Sequence, residues 1–155
     1  MSDSPRLRAA TSEDEQFLRA VYAGTRAEEL VRVPWSDEQK RAFTDMQFAA
    51  QDADYRRNYP DAQYSIIEVQ GVPAGRLYLD RCKKEIRIID IALLPEHRRA
   101  GIGTKLLREL QDEACTAGKV LTIHVEKFNP ALRLYQRLGF EQIEDKGVYL
   151  FLEWK

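Results

Sequence analysis

The sequence predicts an α+β domain in three α/β/α-like layers, with a mixed central sheet of about seven strands and four helices. Three observations carry this. Four segments place apolar residues three and four apart and begin or end on capping residues. The segments between them alternate apolar and polar residues, or run apolar, over strand length. The length, 155 residues, suits one domain with a substantial core, and 44% hydrophobic with 32% charged residues is ordinary for a globular chain. A single domain over 1–155 is expected, with residues 1–5 flexible.

The element order is β-α-α-β-β-β-α-β-α-β-β. "RLRAA" (6–10) reads as the first strand. Ser12 and Glu15 have capping-box spacing, and the helix after them carries Phe17, Leu18, Val21, Tyr22 and Thr25 as its inner stripe. "VRVPW" (31–35) breaks it. "SDEQ" (36–39) is a second capping box and opens a long helix with Phe43, Met46, Ala50 and Ala53 on one face. "NYPDAQ" (58–63) ends that helix. "YSIIEVQ" (64–70) and "AGRLYLD" (74–80) are strands around the turn "GVP". "EIRIIDIALL" (85–94) is the next strand, and its mostly apolar run suits burial on both faces. A helix over 101–117 aligns Ile102, Leu106, Leu110 and Ala114 and stops at Gly118. "VLTIHV" (120–125) puts Leu121, Ile123 and Val125 on one face, and Thr122, His124 and the following Glu126 on the other. "NPALRLYQRLGF" (129–140) reads as a compact helix with Asn129 as N-cap, Pro130 first and Gly139 as its stop. Ala131, Leu134, Tyr135 and Leu138 form its buried stripe. "EQIED" (141–145), a turn at Lys146–Gly147 and "VYLFLEW" (148–154) close the chain as a hairpin.

Charge and cysteines exclude several classes. The net charge of −1 gives no global field for nucleic acid or membrane. Cys82 and Cys115 have no short spacing and no histidine cluster beside them, so reduced thiols are expected, with neither a disulfide framework nor a metal site. The N-terminal stretch is too charged for a signal peptide, and no apolar run reaches the length of a membrane span. A cytoplasmic protein is the expectation.

One local feature stands out. "HRRAGIGTKLLR" gathers His97, Arg98, Arg99, Lys105 and Arg108 around two glycines at the mouth of a helix. A dinucleotide fingerprint fails, because the position of its third glycine holds Leu106, and the spacing of a Walker loop is absent. What remains is Arg-x-x-Gly-x-Gly at Arg98, Gly101 and Gly103, between a strand and a helix. Without Cβ atoms such a loop turns its N–H groups toward one point, and the helix adds unpaired donors and the positive end of its dipole. A pyrophosphate fits there; the plain alternative is a solvated basic helix start.

Residues 85–140 resemble the acyl-CoA-binding core of the GNAT superfamily of acyltransferases. "IALLPEHRRAGIGTKLL" is similar to its pyrophosphate motif, and "LTIHVEKFNPALRLYQRLGF" to its second half. The resemblance implies acetyl-CoA as donor, no metal, and a primary amine of a small molecule or protein as acceptor. It implies that backbone of Ile91, Ala92 and Leu93 pairs with the pantetheine arm, with an N–H near Leu93 as oxyanion donor. It implies that Arg98, Arg99, Ala100, Gly101, Ile102, Gly103 and Thr104 cradle the pyrophosphate, that Asn129 contacts the cofactor, and that Tyr135 sits near its sulfur. A homodimer is common in such a family.

The chemistry needs a proton taken from the amine and a proton for the leaving thiolate. The resemblance makes Tyr135 the candidate acid, the alternative being a core tyrosine. His124, on the strand where some members place a carboxylate base, titrates near neutrality and is the candidate base, or a structural histidine. Asp90 interrupts an Ile-rich strand; it relays protons, binds the amine, or pairs structurally. Glu85 and Glu126 are further candidates. The family's acceptor groove falls here between "RAEELVRVPW" and "EDKGVY", with Glu28, Glu29 and Trp35 as candidate substrate contacts. A non-catalytic acyl-CoA sensor is the competing function. A nucleic-acid binder is disfavoured, since the basic patch has no aromatic partner face.

Overall fold

A computed structural model describes residues 4–155. Residues 1–3, part of the segment expected to be flexible, lie outside the described residues. The strands are β1 (Arg6–Ala9), β2 (Gln63–Val69), β3 (Val72–Arg81), β4 (Glu85–Leu93), β5 (Val120–Glu126), β6 (Glu141–Asp145) and β7 (Tyr149–Trp154). The helices are α1 (Glu15–Val31), α2 (Asp37–Asn58), α3 (Ile102–Ala117) and α4 (Leu132–Arg137). The seven strands form one mixed sheet in the order β1-β2-β3-β4-β5-β7-β6. β4 and β5 run parallel, joined by α3; the other neighbouring strands described are antiparallel.

The layers follow from strand alternation. Ile66 packs with Leu18, Tyr22 and Phe48, so α1 and α2 cover one face. Its neighbour Ile67 joins Leu77, Leu79, Ile86, Ile88, Leu121, Ile123, Val125 and Leu152 beneath Leu106, Leu107 and Leu110 of α3 and Tyr135 of α4, on the other face. Among the described residues no helix is long and apolar enough to cross a membrane, and Cys82 and Cys115 are free thiols.

Three local readings need correction. The first capping box is Thr11 with Asp14, one residue ahead of Ser12 and Glu15. Asp14 accepts both the Thr11 N–H at 2.8 Å and the Arg8 guanidinium at 2.9 Å. Arg8 and the Thr11 backbone hold its carboxyl down at about 2. The inner face of α2 runs through Thr44 and Phe48 to the half-buried Gln51 and Tyr55, not through Met46, which is 63% exposed. The regular turns of α4 begin at Leu132, not at Pro130; Asn129 still caps the preceding turn, its Oδ1 accepting the Ala131 N–H at 2.8 Å.

Candidate functional site

The site begins where two strands part. β4 pairs with β5 only over Glu85–Ile88, although β4 continues to Leu93 and β5 to Glu126. A bulge in β4 sits at the fork: Tyr78 pairs with Asp90 and Leu79 with Ile88, which leaves Ile89 unmatched. Bulges bend a strand and end pairing. Beyond it the Leu94 N–H donates to the Ala74 carbonyl of β3 at 2.8 Å. Strand alternation then turns the Ile91 and Leu93 amides toward the opening. The Leu93 carbonyl, on that same side, accepts from Arg98 Nε at 3.1 Å.

Next to the slot lies the glycine loop. Arg99 (φ 64) and Gly101 (φ 80) are both left-handed, and Gly101 is the residue on which α3 starts. Lys105 makes an early helical bond, its N–H donating to the Gly101 carbonyl at 3.0 Å. The N–H groups of Ile102, Gly103 and Thr104 belong to the helix's unpaired first turn. A Cβ added at Gly101 or Gly103 would meet nothing within 4 Å. No packing contact therefore calls for glycine at 103, and the space above both residues is open. Orphan donors around an open cradle at the positive end of a 16-residue helix fit a phosphate group. Arg99 and Ala100 are exposed at its rim, while the Ile102 side chain is buried in the core. The Arg98 guanidinium faces Leu93 and also donates to the Gly24 carbonyl at 3.3 Å, tying the loop to α1.

Tyr135 closes the slot from the α3 side. It is 4% exposed and packs edge-on against Phe140 at 5.6 Å. Its hydroxyl makes no hydrogen bond among the described residues. Burial, and secondarily the negative charge of Asp90, push its pKa up, so the phenol stays protonated.

On the α1–α2 side lie Asp90, His124 and Glu126. Asp90 is fully engaged: Arg76 donates through Nε (3.2 Å) and Nη2 (2.8 Å), and the Tyr55 hydroxyl donates at 2.9 Å. His124 stacks at 4.8 Å on Phe151, and its Nε2 is 3.2 Å from the Lys146 ammonium. Burial, then the charges of Lys146 and Arg87, hold the imidazole below its ordinary value. Glu126 lies 3.8 Å from Arg26 of α1, whose Nε also donates to the Tyr22 hydroxyl. Glu85 is occupied by Arg87 and the Thr122 hydroxyl. Glu28 and Glu29 are exposed on α1, with Glu29 paired to Arg26 at 3.2 Å. Trp35 is 41% exposed and meets Phe43 edge-on. Thus the structure gathers Asp90, His124, Glu126 and Tyr135 about the fork, with Glu28, Glu29 and Trp35 at the outer end of α1. Sequence reasoning missed Arg76, Tyr55, Arg26 and Lys146. The signal for Arg76 was a charge inside the apolar strand "AGRLYLD", matching the opposite charge inside the apolar strand of Asp90.

Parted strands beside a glycine cradle and a buried tyrosine define the acyl-CoA-dependent transferases as a class. The chain belongs to the acetyltransferase (GNAT) family, whose family model matches residues 25–140. It is similar to the cysteine-rich protein 2-binding protein of Mus musculus, 37% identical over 87 residues, covering 56% of this chain and 11% of that protein. It is also similar to an N-alpha-acetyltransferase of Sulfurisphaera tokodaii, 37% identical over 100 residues, covering 54% of this chain and 59% of that protein. The chain thus spans about a tenth of the first relative's length and under two thirds of the second's. PaiA N-acetyltransferase from Thermoplasma acidophilum, solved in complex with coenzyme A, shares the fold at a TM-score of 0.72 and 18% identity, covering 98% of this chain and 99% of that one.

Proposed function

We propose that this chain transfers an acetyl group from acetyl-CoA to a primary amine, of a small molecule or of a protein N-terminus or lysine, by direct attack in a ternary complex. The observation that carries this is the fork itself: strand backbone that faces an open slot, continuous with an open glycine cradle. The first turn of α3 receives the pyrophosphate, and the Ile91 and Leu93 backbone receives the pantetheine arm as a further strand would. Acetyl-CoA supplies a thioester; the amine nitrogen forms the new C–N bond as the C–S bond breaks. The Leu93 N–H points where negative charge develops on the carbonyl oxygen, a placement worth about 3 kcal/mol when well aligned. The Tyr135 hydroxyl, protonated and bonded to no described residue, gives its proton to the departing sulfur and regains one from solvent. His124 faces the acceptor side and is held neutral, the state that accepts a proton from an ammonium. The archaeal relative's name supports an α-amino group among the acceptors. A homodimer belongs to the same reading: β6 lies at the sheet edge with Ile143 half exposed, which offers pairing to a second copy.

The test is calorimetry with CoA, followed by thiol release from acetyl-CoA over a panel of amines and peptides. Gly103→Leu fills the cradle at a residue whose Cβ meets nothing, so the fold stays intact. The reading requires that this variant lose CoA binding and that the native chain release thiol with some amine. Unchanged CoA affinity in the folded variant overturns it.

A further inference from the structure

β4 contains a contradiction that its bulge resolves. Ile86 and Ile88 face α3, so unbroken alternation would send Asp90 and Ala92 into that apolar layer and turn Ile91 and Leu93 away from it. Instead Ile91 and Leu93 pack against the α3 core, and Asp90 faces α2. One unmatched residue, Ile89, makes the change of phase. Pairing with β5 stops at Ile88, the last residue before it.

We propose that Arg76, Asp90 and Tyr55 form the clamp that fixes this bulge, and through it the slot between β4 and β5. The proposal rests on reading that slot as the acetyl-CoA site. Asp90 is the first residue past the bulge. Its two carboxylate oxygens take both Arg76 donors and the Tyr55 hydroxyl, which fastens β4 to β3 and to α2 at one point. Gln51 Oε1 accepts from Arg76 Nη2 at 2.9 Å and holds the guanidinium from the α2 side. Arg76 is 2% exposed and lies 5.1 Å from the Tyr78 ring centroid and 5.9 Å from that of Tyr22.

Stability alone does not account for such a pair. A buried ion pair is often replaced by apolar residues at no loss, and its best-attested use is to specify one arrangement among several. Here the excluded arrangement is definite. With an apolar residue at 90, "EIRII-x-IAL" can alternate without a bulge, and β4 can zip onward against β5 and close the slot. Asp90 opposes this because the layer beneath α3 into which it would turn is apolar, whereas Arg76 and Tyr55 meet it on the α2 side. Arg76, Asp90 and Tyr55 are on this view positioning residues: they act through the backbone of Ile91 and Leu93 and carry no proton in the reaction.

The experiment compares the native chain with the double variant Arg76→Met/Asp90→Leu and with Tyr55→Phe. Three quantities are read: melting temperature, amide hydrogen exchange at Ile91 and Leu93 without ligand, and CoA affinity. The double variant is expected to keep a cooperative melt, gain exchange protection at Ile91 and Leu93 as the ladder extends, and lose roughly tenfold or more in CoA affinity. Tyr55→Phe, which removes one bond of three, is expected to lie between the two. Native exchange and native affinity in a folded double variant overturn the clamp. If the double variant does not fold, Tyr55→Phe decides alone: unchanged affinity and unchanged exchange at Ile91 and Leu93 overturn it. Should the native chain fail to bind CoA, the functional reading falls, while the exchange data still judge whether the three residues hold the fork open.

Discussion

Arg98 donates from Nε to the Leu93 carbonyl at 3.1 Å, and that bond joins the loop ahead of α3 to the end of β4. In a sheet this carbonyl would bond a neighbouring strand; here no strand is beside it. With the second bond to Gly24, one exposed guanidinium sets the spacing between cradle, slot and α1. Arg98→Met keeps the aliphatic stem and removes every donor. Net hydrogen bonds contribute about 0.5–1.5 kcal/mol each, less at exposed sites, so the melt should shift little. The KM for acetyl-CoA should rise roughly 2–13-fold, the range one such bond spans, with kcat nearly constant. Arg98→Lys should not rescue, since a point charge does not span two carbonyls as a planar fork does. Steady-state kinetics beside thermal melts check both statements.

The two glycines of the cradle should separate under substitution. Gly101 has φ +80, so Gly101→Ala is strained and should cost about 1 kcal/mol in stability before any ligand is added. Gly103 sits in the first turn of α3 with open space above it. Gly103→Ala should leave stability equal or raise it by up to about 1 kcal/mol, because alanine is the better helix former. Both should weaken CoA. Denaturant titration and calorimetry on the same samples provide the comparison, and a Gly103→Ala protein that is less stable than native would contradict the open cradle.

How far the sequence revealed all this varied with the kind of residue. The stripe of α3 and the alternation of β5 were plain because burial there is apolar, which is what periodicity detects. The inner face of α2 was misread because Thr44, Gln51 and Tyr55 face inward as polar residues to meet Arg76 and Asp90, and a count of apolar residues passes over them. Met46 and the alanines took their place in that count. The capping box shifted by one residue because Thr11 and Asp14 satisfy the same spacing as Ser12 and Glu15, and Arg8 on the neighbouring strand favours the former. The cradle was legible, since glycine at a helix start is a local signal. The clamp was not. That Arg76 meets Asp90 depends on which strands lie side by side, although Asp90 in phase with Ile86 and Ile88 marks the change of phase within β4 itself.

Removing the Tyr135 hydroxyl should separate chemistry from folding. Tyr135→Phe keeps the ring against Phe140 and deletes an oxygen that bonds to no described residue. That oxygen holds no other part of the fold, so the melting temperature should stay close to native. General acid catalysis typically contributes about 10²–10⁴-fold, and a thiol is a fair leaving group, so kcat should fall by roughly 10–10³-fold at constant acetyl-CoA affinity. A native rate across pH 6–9 would reduce Tyr135 to packing. A collapse of affinity together with rate would make it an anchor for the cofactor.

Burial, and after it the charge of Lys146, lower the proton affinity of His124. An ammonium only donates, so His124 Nε2 accepts from it and the imidazole proton lies on Nδ1, and Lys146 must turn away before Nε2 takes a proton from the acceptor amine. Burial, then Lys146 and Arg87, lower the pKa from 6.5, while Glu144 and Glu85 oppose them. Between that lowered value and 6.5 the unfolded chain binds more protons than the folded one. Stability therefore rises with pH through this window, is complete above about 6.5, and is lost as pH falls. Lys146→Met removes the nearest charge. It should move the His124 titration upward toward 6.5 and lessen the acid-side loss of stability. If His124 takes the amine's proton, the acid limb of kcat/KM lies below 6.5 in the native enzyme and moves up with the titration in the variant. The chain has only two histidines, so ring-proton NMR follows His124 with His97 as internal reference. A titration that moves while the acid limb stays fixed would remove His124 from proton transfer. A limb that moves in step, with His124→Gln slower by roughly 10²–10⁴-fold, would establish it as the base.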